Sequence, residues 1–298
     1  MKNLRLVCAG LCLMLCAITV SAQVKLSFNP EMGTKYEYFA DVVQNIKQSV
    51  MGQEMLTEMQ MKSTYLMEIK SKTPQEIKVQ FTYSDFIISV SSAMINMKYD
   101  SKKPIENPTE MDKMLEKILK ELINKPFEVV FAPDGSVKSV TGMEAIIENM
   151  LKAVAADGQM GALIGAQMSQ QFSDESMKSS FSQSFNFYPE NAVKIGDSWN
   201  VKNKMLVSGM NLDSDMKNTL KGVNGNMATI EIAGDINMTM EGGKLSGKQT
   251  GTMIVDSASG IPETSDVTQN ISGSINMQGM DIQTEMTTKT KTSAKVIK

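Results

Sequence analysis

The sequence predicts an α+β fold that is mostly β: a curved antiparallel sheet, half-barrel-like, with central helices packed on one face. Whether it forms one sheet or two pseudo-repeated sheets is left open. Three observations predict this class. Apolar and polar residues alternate over segments on both sides of the chain's middle, the period of strands with one buried and one wet face. Between those segments the apolar spacing changes to three and four residues, the period of amphipathic helices. Helices grouped between two β-rich stretches, rather than alternating with strands, belong on one face of an antiparallel sheet. The chain thus divides into residues 1–22, a first β unit over 23–101, a helical segment with one β-hairpin over 102–187, and a second β unit over 188–298, folded as one cooperative body.

Lys2 and Arg5 precede an apolar run over residues 6–20, and Val20-Ser21-Ala22 places small residues before Gln23. This is the order of a cleavable signal peptide. A membrane anchor needs about 20 apolar residues, so no transmembrane span is expected after cleavage. Leucine precedes both Cys12 and Cys16, which disfavours lipid attachment there. An exported protein is expected, periplasmic or else extracellular.

In the first β unit Tyr36, Tyr38, Ala40 and Val42 share one strand face, as do Ile77, Val79, Phe81 and Tyr83 after the turn at Thr73-Pro74. Thr109 and Asp112 have capping spacing, and Met111, Leu115, Ile118, Leu119 and Leu122 form an apolar stripe before Pro126. Residues 127–131 and 137–140 flank Ala132-Pro133-Asp134-Gly135-Ser136, which has the residues of a hairpin turn. A second helix is expected from Thr141, with Glu144 in the capping-box position and Met143, Ile146, Ile147, Met150, Leu151 and Val154 on one side, ending near Gly158. Weaker helical patterns run through Leu163, Ile164, Met168 and Phe172, then Met177, Phe181 and Phe185. In the second unit Ala228, Ile230 and Ile232 oppose Met227, Thr229 and Glu231. Ile236, Met238 and Met240 follow before Gly242-Gly243, with further strands at 251–256, 267–277 and 282–296. Gly33-Thr34-Lys35-Tyr36 and Gly196-Asp197-Ser198-Trp199 open the two units, and Met97-Lys98-Tyr99-Asp100-Ser101 pairs with Met253-Ile254-Val255-Asp256-Ser257 downstream. The pairs are read as an internal duplication or as ordinary recurrence of turn residues.

The chemistry is narrowed by absence. Cys8, Cys12, Cys16 and Arg5 fall in the first 22 residues and the chain has no His, so the mature protein lacks thiolate, imidazole and guanidinium. Most nucleophilic, general-base and zinc sites need one of these. The net charge of −3, more negative once Lys2 and Arg5 are removed, disfavours nucleic acid as a partner. Ser214 and Lys217 match S-x-x-K, but its companion motifs are missing. No enzyme activity, cofactor, metal site or catalytic residue is expected. Methionine is the conspicuous excess, at 27 residues, with groups at Met51, Met55, Met59 and Met61, at Met94 and Met97, at Met238 and Met240, and at Met277 and Met280. Core filling, a pliable apolar ligand surface and Cu(I) ligation are the three readings, in that order.

The string Phe187-Tyr188-Pro189 with Val193-Lys194-Ile195-Gly196-Asp197-Ser198-Trp199 is the most distinctive one. Together with the 33–36, 99–101 and 131–137 segments it resembles an uncharacterised family of exported proteins from Bacteroidota. That resemblance implies an origin and an exported location, and assigns no activity, cofactor or catalytic residue. The functional expectation is a non-enzymatic envelope protein that binds an apolar or amphiphilic, lipid-like molecule between helices and sheet. Met111, Leu115, Ile118, Ile147, Met150 and Leu151 are the lining candidates. The alternative is a structural or protein-interaction protein with a filled core, and a second alternative is methionine-based Cu(I) binding. A cavity above about 300 Å³ separates the first reading from the second.

Overall fold

The computed structural model describes residues 23–297 except 51, 94, 156, 208, 209 and 278. The expected leader, Met51 and Met94 lie outside the described residues. The first half contains β1 (Lys35–Val50), β2 (Gln53–Lys72), β3 (Ile77–Ser92), β4 (Asn96–Asp100), α1 (Glu110–Lys120), β5 (Pro126–Phe131) and β6 (Val137–Thr141). Three helices follow, α2 (Met143–Ala155), α3 (Gly158–Gln171) and α4 (Asp174–Phe185). The second half is β7 (Ser198–Val207), β8 (Met210–Asn224), β9 (Met227–Met240), β10 (Gly243–Asp256), β11 (Pro262–Met277) and β12 (Met280–Ile297).

These strands form a single 12-stranded antiparallel sheet in the order β6-β5-β3-β2-β1-β12-β11-β10-β9-β8-β7, with β4 also beside β3. The two β units are therefore one sheet, because β12 pairs with β1 from Lys35↔Ile297 to Ser49↔Gln283. The sheet stays open, with β6 and β7 at its edges. The helices carry the chain from one edge to the other, and α4 packs against both edge strands.

The halves repeat one plan. β4 pairs with residues 87–91 of β3 and β5 with residues 77–82, so they share a single strand position that α1 interrupts. β10 alone fills the matching position beside β9. Strands β1, β2, β3, β4 with β5, and β6 thus correspond to β7, β8, β9, β10 and β11. The openings agree in detail. Gly33 (φ 83°) donates to Ile69 O at 2.8 Å while Ile69 N donates to Thr34 O, and Gly196 (φ 95°) donates to Leu220 O at 2.7 Å while Leu220 N donates to Asp197 O. The expected pairing of Asp100 with Asp256 is corrected. Asp100 precedes the α1 insertion, whereas Asp256 ends β10 opposite Met227 as Phe131 ends β5 opposite Ile77, and the turn after β5 carries its own aspartate, Asp134, three residues on. Each of those carboxylates accepts the backbone N–H two residues on, from Ser136 and from Ala258.

Helix α1 starts on a complete capping box of Thr109 and Asp112, which satisfies backbone donors that a first turn leaves open. The Asp112 carboxylate also accepts from Lys98 N of β4 at 2.7 Å, fixing the helix to the sheet. Helix α2 starts at Met143 rather than Thr141. Thr141 still pairs with Glu128 in β6, and Glu144 accepts from Gly142 N instead.

Buried apolar side chains among the described residues form two clusters. One joins Phe28, Met67, Val79, Phe81 and Phe131 to helix residues such as Ile118 and Met150. The other, in the second half, gathers Leu220, Ile230, Ile236 and Val255 with Leu26 and Phe187, and has no helical member among the described residues. The helices therefore cover the first half of the sheet.

Candidate functional site

Between the helices and the first half of the sheet lies a cavity of about 830 Å³. Its sheet wall comes from β2 and β3, where Met59, Met61 and Tyr65 sit beside Phe81, Tyr83, Phe86 and Ile88. Strict alternation would turn Phe86 and Ile88 away from Phe81 and Tyr83. A bulge does the opposite: the register shifts between Thr64↔Asp85 and Tyr65↔Tyr83, so one extra residue returns the later side chains to the same face. The bulge is held from outside the cavity. Asp85 accepts from the Ser101 hydroxyl and from Lys102 Nζ at 2.8 Å. Burial pushes its carboxyl up, but these partners outweigh burial and hold it below the usual aspartate range.

The helix wall is supplied by α1 to α4, including Met111, Leu115 and Ile118 of α1, Met150 of α2, Met168 of α3 and Phe181 of α4. Aromatic rings knit the floor, with Phe81 5.1 Å from Phe181 and 5.7 Å from Phe127, and Tyr83 4.8 Å from Phe86. Burial raises the Tyr65 and Tyr83 hydroxyls above the ordinary tyrosine range, so both stay neutral. No Lys, Asp or Glu lines this cavity among the described residues.

Of the six expected lining residues, Met111, Leu115, Ile118 and Met150 face the cavity. Ile147 and Leu151 do not line it. They pack half-buried against the core cluster, and Leu151 lies beside Gly165 of α3. The physical reason is helix geometry: α2 buries Met143, Ile146, Met150 and Val154, and Ile147 and Leu151 sit one residue further round the helix, about 100°. Sequence reasoning did not name Met59, Met61, Met97, Met168 or Phe181 as lining. The signal for the first two was present as M-x-M at strand spacing. The methionine excess concentrates here, with nine of the described methionines in the wall.

Two other features are not brought into a site. Ser214 faces inward and Lys217, three residues along β8, is exposed on the other face, so the S-x-x-K pair is not assembled. A larger cleft of about 1290 Å³ follows the seam where the N-terminal segment and residues 186–193 cross the strand ends. Its walls mix exposed Lys25, Asp134 and Glu190 with Pro74, Pro133 and Pro189. The distinctive string builds this seam: Tyr188 donates to Gly260 O at 2.7 Å, Trp199 Nε1 to Phe187 O at 2.8 Å, and Lys194 N to the Asp197 carboxylate at 2.8 Å. Among the described residues no helix is long and apolar enough to cross a membrane.

No curated protein sequence matches the chain. Among solved structures, one of lipovitellin, described as showing lipid–protein interactions, aligns over 91% of this chain at 7% identity and a TM-score of 0.47. This chain spans 26% of that one. OccK7 of Pseudomonas aeruginosa aligns over 89% of this chain and 100% of its own, at 7% identity and a TM-score of 0.25. At such scores neither likeness bears on what this protein binds. A family model does match, over residues 74–262, which includes α1 to α4 and the string from Phe187 to Trp199, and the chain belongs to that family of unknown function (DUF6263).

Proposed function

We propose that this protein is a non-enzymatic binding protein for an apolar or amphiphilic, lipid-like ligand, held between the helices and the first half of the sheet. The observation that carries the reading is the cavity of about 830 Å³ with its uncharged Met, Phe, Leu and Ile wall. That volume lies in the range of about 300–1,000 Å³ common for small-molecule sites, whereas a purely structural protein would fill the same space with side chains. Each buried methylene of a ligand contributes about 0.8 kcal/mol, so an acyl chain would be retained without a charged contact. Export belongs to the same reading, motivated by residues 1–22 and by the string that resembles exported Bacteroidota proteins. N-terminal sequencing of the mature protein is expected to begin at Gln23, and retention of Met1 would remove that part.

The binding test uses a fluorescent hydrocarbon, diphenylhexatriene, titrated into delipidated protein. Saturable binding is expected for the wild type and for Val296→Asp, an exposed control. Ile118→Asp, shown to be folded by circular dichroism, is expected to bind at least about tenfold more weakly, because the carboxylate would stand in the cavity wall. Non-saturable partitioning, or equal binding by Ile118→Asp, would leave the structural role as the better account.

A further inference from the structure

We infer that the bound molecule is an amphiphile with an uncharged, hydrogen-bonding head, and that the head occupies a second cavity adjoining the apolar one. The inference rests on the apolar-ligand reading. The second cavity measures about 290 Å³ and shares Tyr65, Ser184 and Phe185 with the first. Its character is different: Tyr38 of β1, Ser214 and Asn218 of β8, Gln249 of β10 and Gln269 of β11 bring polar side chains to the inner face of the sheet. Tyr38 and Ser214 lie five strand positions apart in the sheet order, yet line one cavity, which requires the sheet to curl back toward itself.

Three of these groups are buried and unpartnered. Tyr38, Ser214 and Asn218 are 5%, 7% and 2% exposed, and the Tyr38 hydroxyl, the Ser214 hydroxyl and the Asn218 amide oxygen have no hydrogen-bond partner among the described residues. The Asn218 amide nitrogen is engaged with Phe187 O at 3.3 Å, which orients the side chain. Buried polar groups are satisfied in the great majority of cases, and three exceptions around one cavity mark a place for polar atoms of a ligand. Two hydroxyls that donate or accept and an amide oxygen that accepts fit a head carrying hydroxyl or amide groups. No charged side chain lines either cavity among the described residues, so a carboxylate or phosphate head would be buried without a counter-ion, a heavily disfavoured state. A monoacylglycerol has the required chemistry: one chain for the methionine-lined space and a neutral diol for the polar end.

The test is competition against diphenylhexatriene by three lipids of one chain length: a monoacylglycerol, the fatty acid in its ionised form and its methyl ester. The monoacylglycerol is expected to compete at least about tenfold more strongly than either of the others. Tyr38→Phe with Ser214→Ala is expected to bring that preference down to within about threefold, with probe binding and circular dichroism unchanged. Both substitutions delete only atoms without a partner among the described residues, so the fold is retained. Equal competition by the three lipids, or a preference that survives the double substitution, overturns the neutral-head inference while leaving the apolar-ligand reading standing. Absence of saturable probe binding overturns both.

Discussion

The indole nitrogen of Trp199 donates to the carbonyl oxygen of Phe187 at 2.8 Å, and the Asn218 amide reaches the same oxygen at 3.3 Å. The chain must cross from the end of α4 to the far edge strand β7, and this crossing carries buried backbone that no sheet ladder satisfies. Two side chains supply the donors, which is why the string from Phe187 to Trp199 is dense in aromatic and turn residues. Trp199→Phe keeps the ring and removes the donor. It is expected to lower unfolding stability by about 1–2 kcal/mol, read as a lower urea midpoint with an unchanged slope. An unchanged midpoint would show that the carbonyl is served adequately by Asn218.

Gly135 stands at φ 84° in the turn between β5 and β6, and a Cβ there would overlap the backbone carbonyl of Phe185. The turn is thereby locked onto the C-terminal end of α4. Gly196, also at positive φ, has no atom of the described residues within 4 Å of its missing Cβ. Gly196→Ala should therefore incur only the conformational strain of about 1 kcal/mol, and Gly135→Ala more than about 2 kcal/mol because backbone must move. Thermal melts of the two variants check the difference, and equal losses would count against the close approach.

Asp112 predicts the acid limb of the stability curve. Burial raises its carboxyl, but acceptance from Lys98 N, from Thr109 N and from the Thr109 hydroxyl, with the Lys98 charge, outweighs burial and holds it below the usual range. A carboxyl depressed in the folded state contributes stability that is present above its unfolded pKa and lost as pH falls through the folded one. The melting temperature should therefore fall as pH drops below the ordinary aspartate range, and Asp112→Ala should show a shallower fall. At neutral pH that variant should be less stable by about 1–2 kcal/mol, since the capping box and the tie to β4 go together.

Much of the fold was legible where local chemistry is one-sided. The alternation of Tyr36, Tyr38, Ala40 and Val42, the stripe through Ile118 and Leu119, and the turn at Asp134-Gly135 each point to a single local structure. Strand β8 was not legible, because its inner face reads Leu212, Ser214, Met216, Asn218, Leu220, and polar residues on a buried face erase the apolar period. Those same residues form the polar cavity, so the pattern failed where the interior departs from an ordinary core. The division of one strand position between β4 and β5 was hidden by the α1 insertion, and pairing across the sheet is a long-range property that spacing does not carry. Within the site, helix periodicity located Met111, Leu115, Ile118 and Met150 but was too coarse to separate Met150 from Leu151, one residue further round α2.

The methionines of β2 test whether the wall is adaptable or merely apolar. Met59 and Met61 share one face of the strand and line the cavity opposite the helices. An unbranched thioether side chain reshapes at small cost, whereas leucine of similar volume has fewer conformers. Met59→Leu with Met61→Leu conserves volume and is expected to change stability by less than about 1.5 kcal/mol. If the wall adapts to its ligand, the double variant should bind a matched series of monoacylglycerols over a narrower span of chain lengths than the wild type, while keeping its best affinity within about threefold. Displacement titrations across the series give the comparison directly. An unchanged span would reduce these methionines to ordinary filling, since leucine supplies the same apolar area without the same freedom.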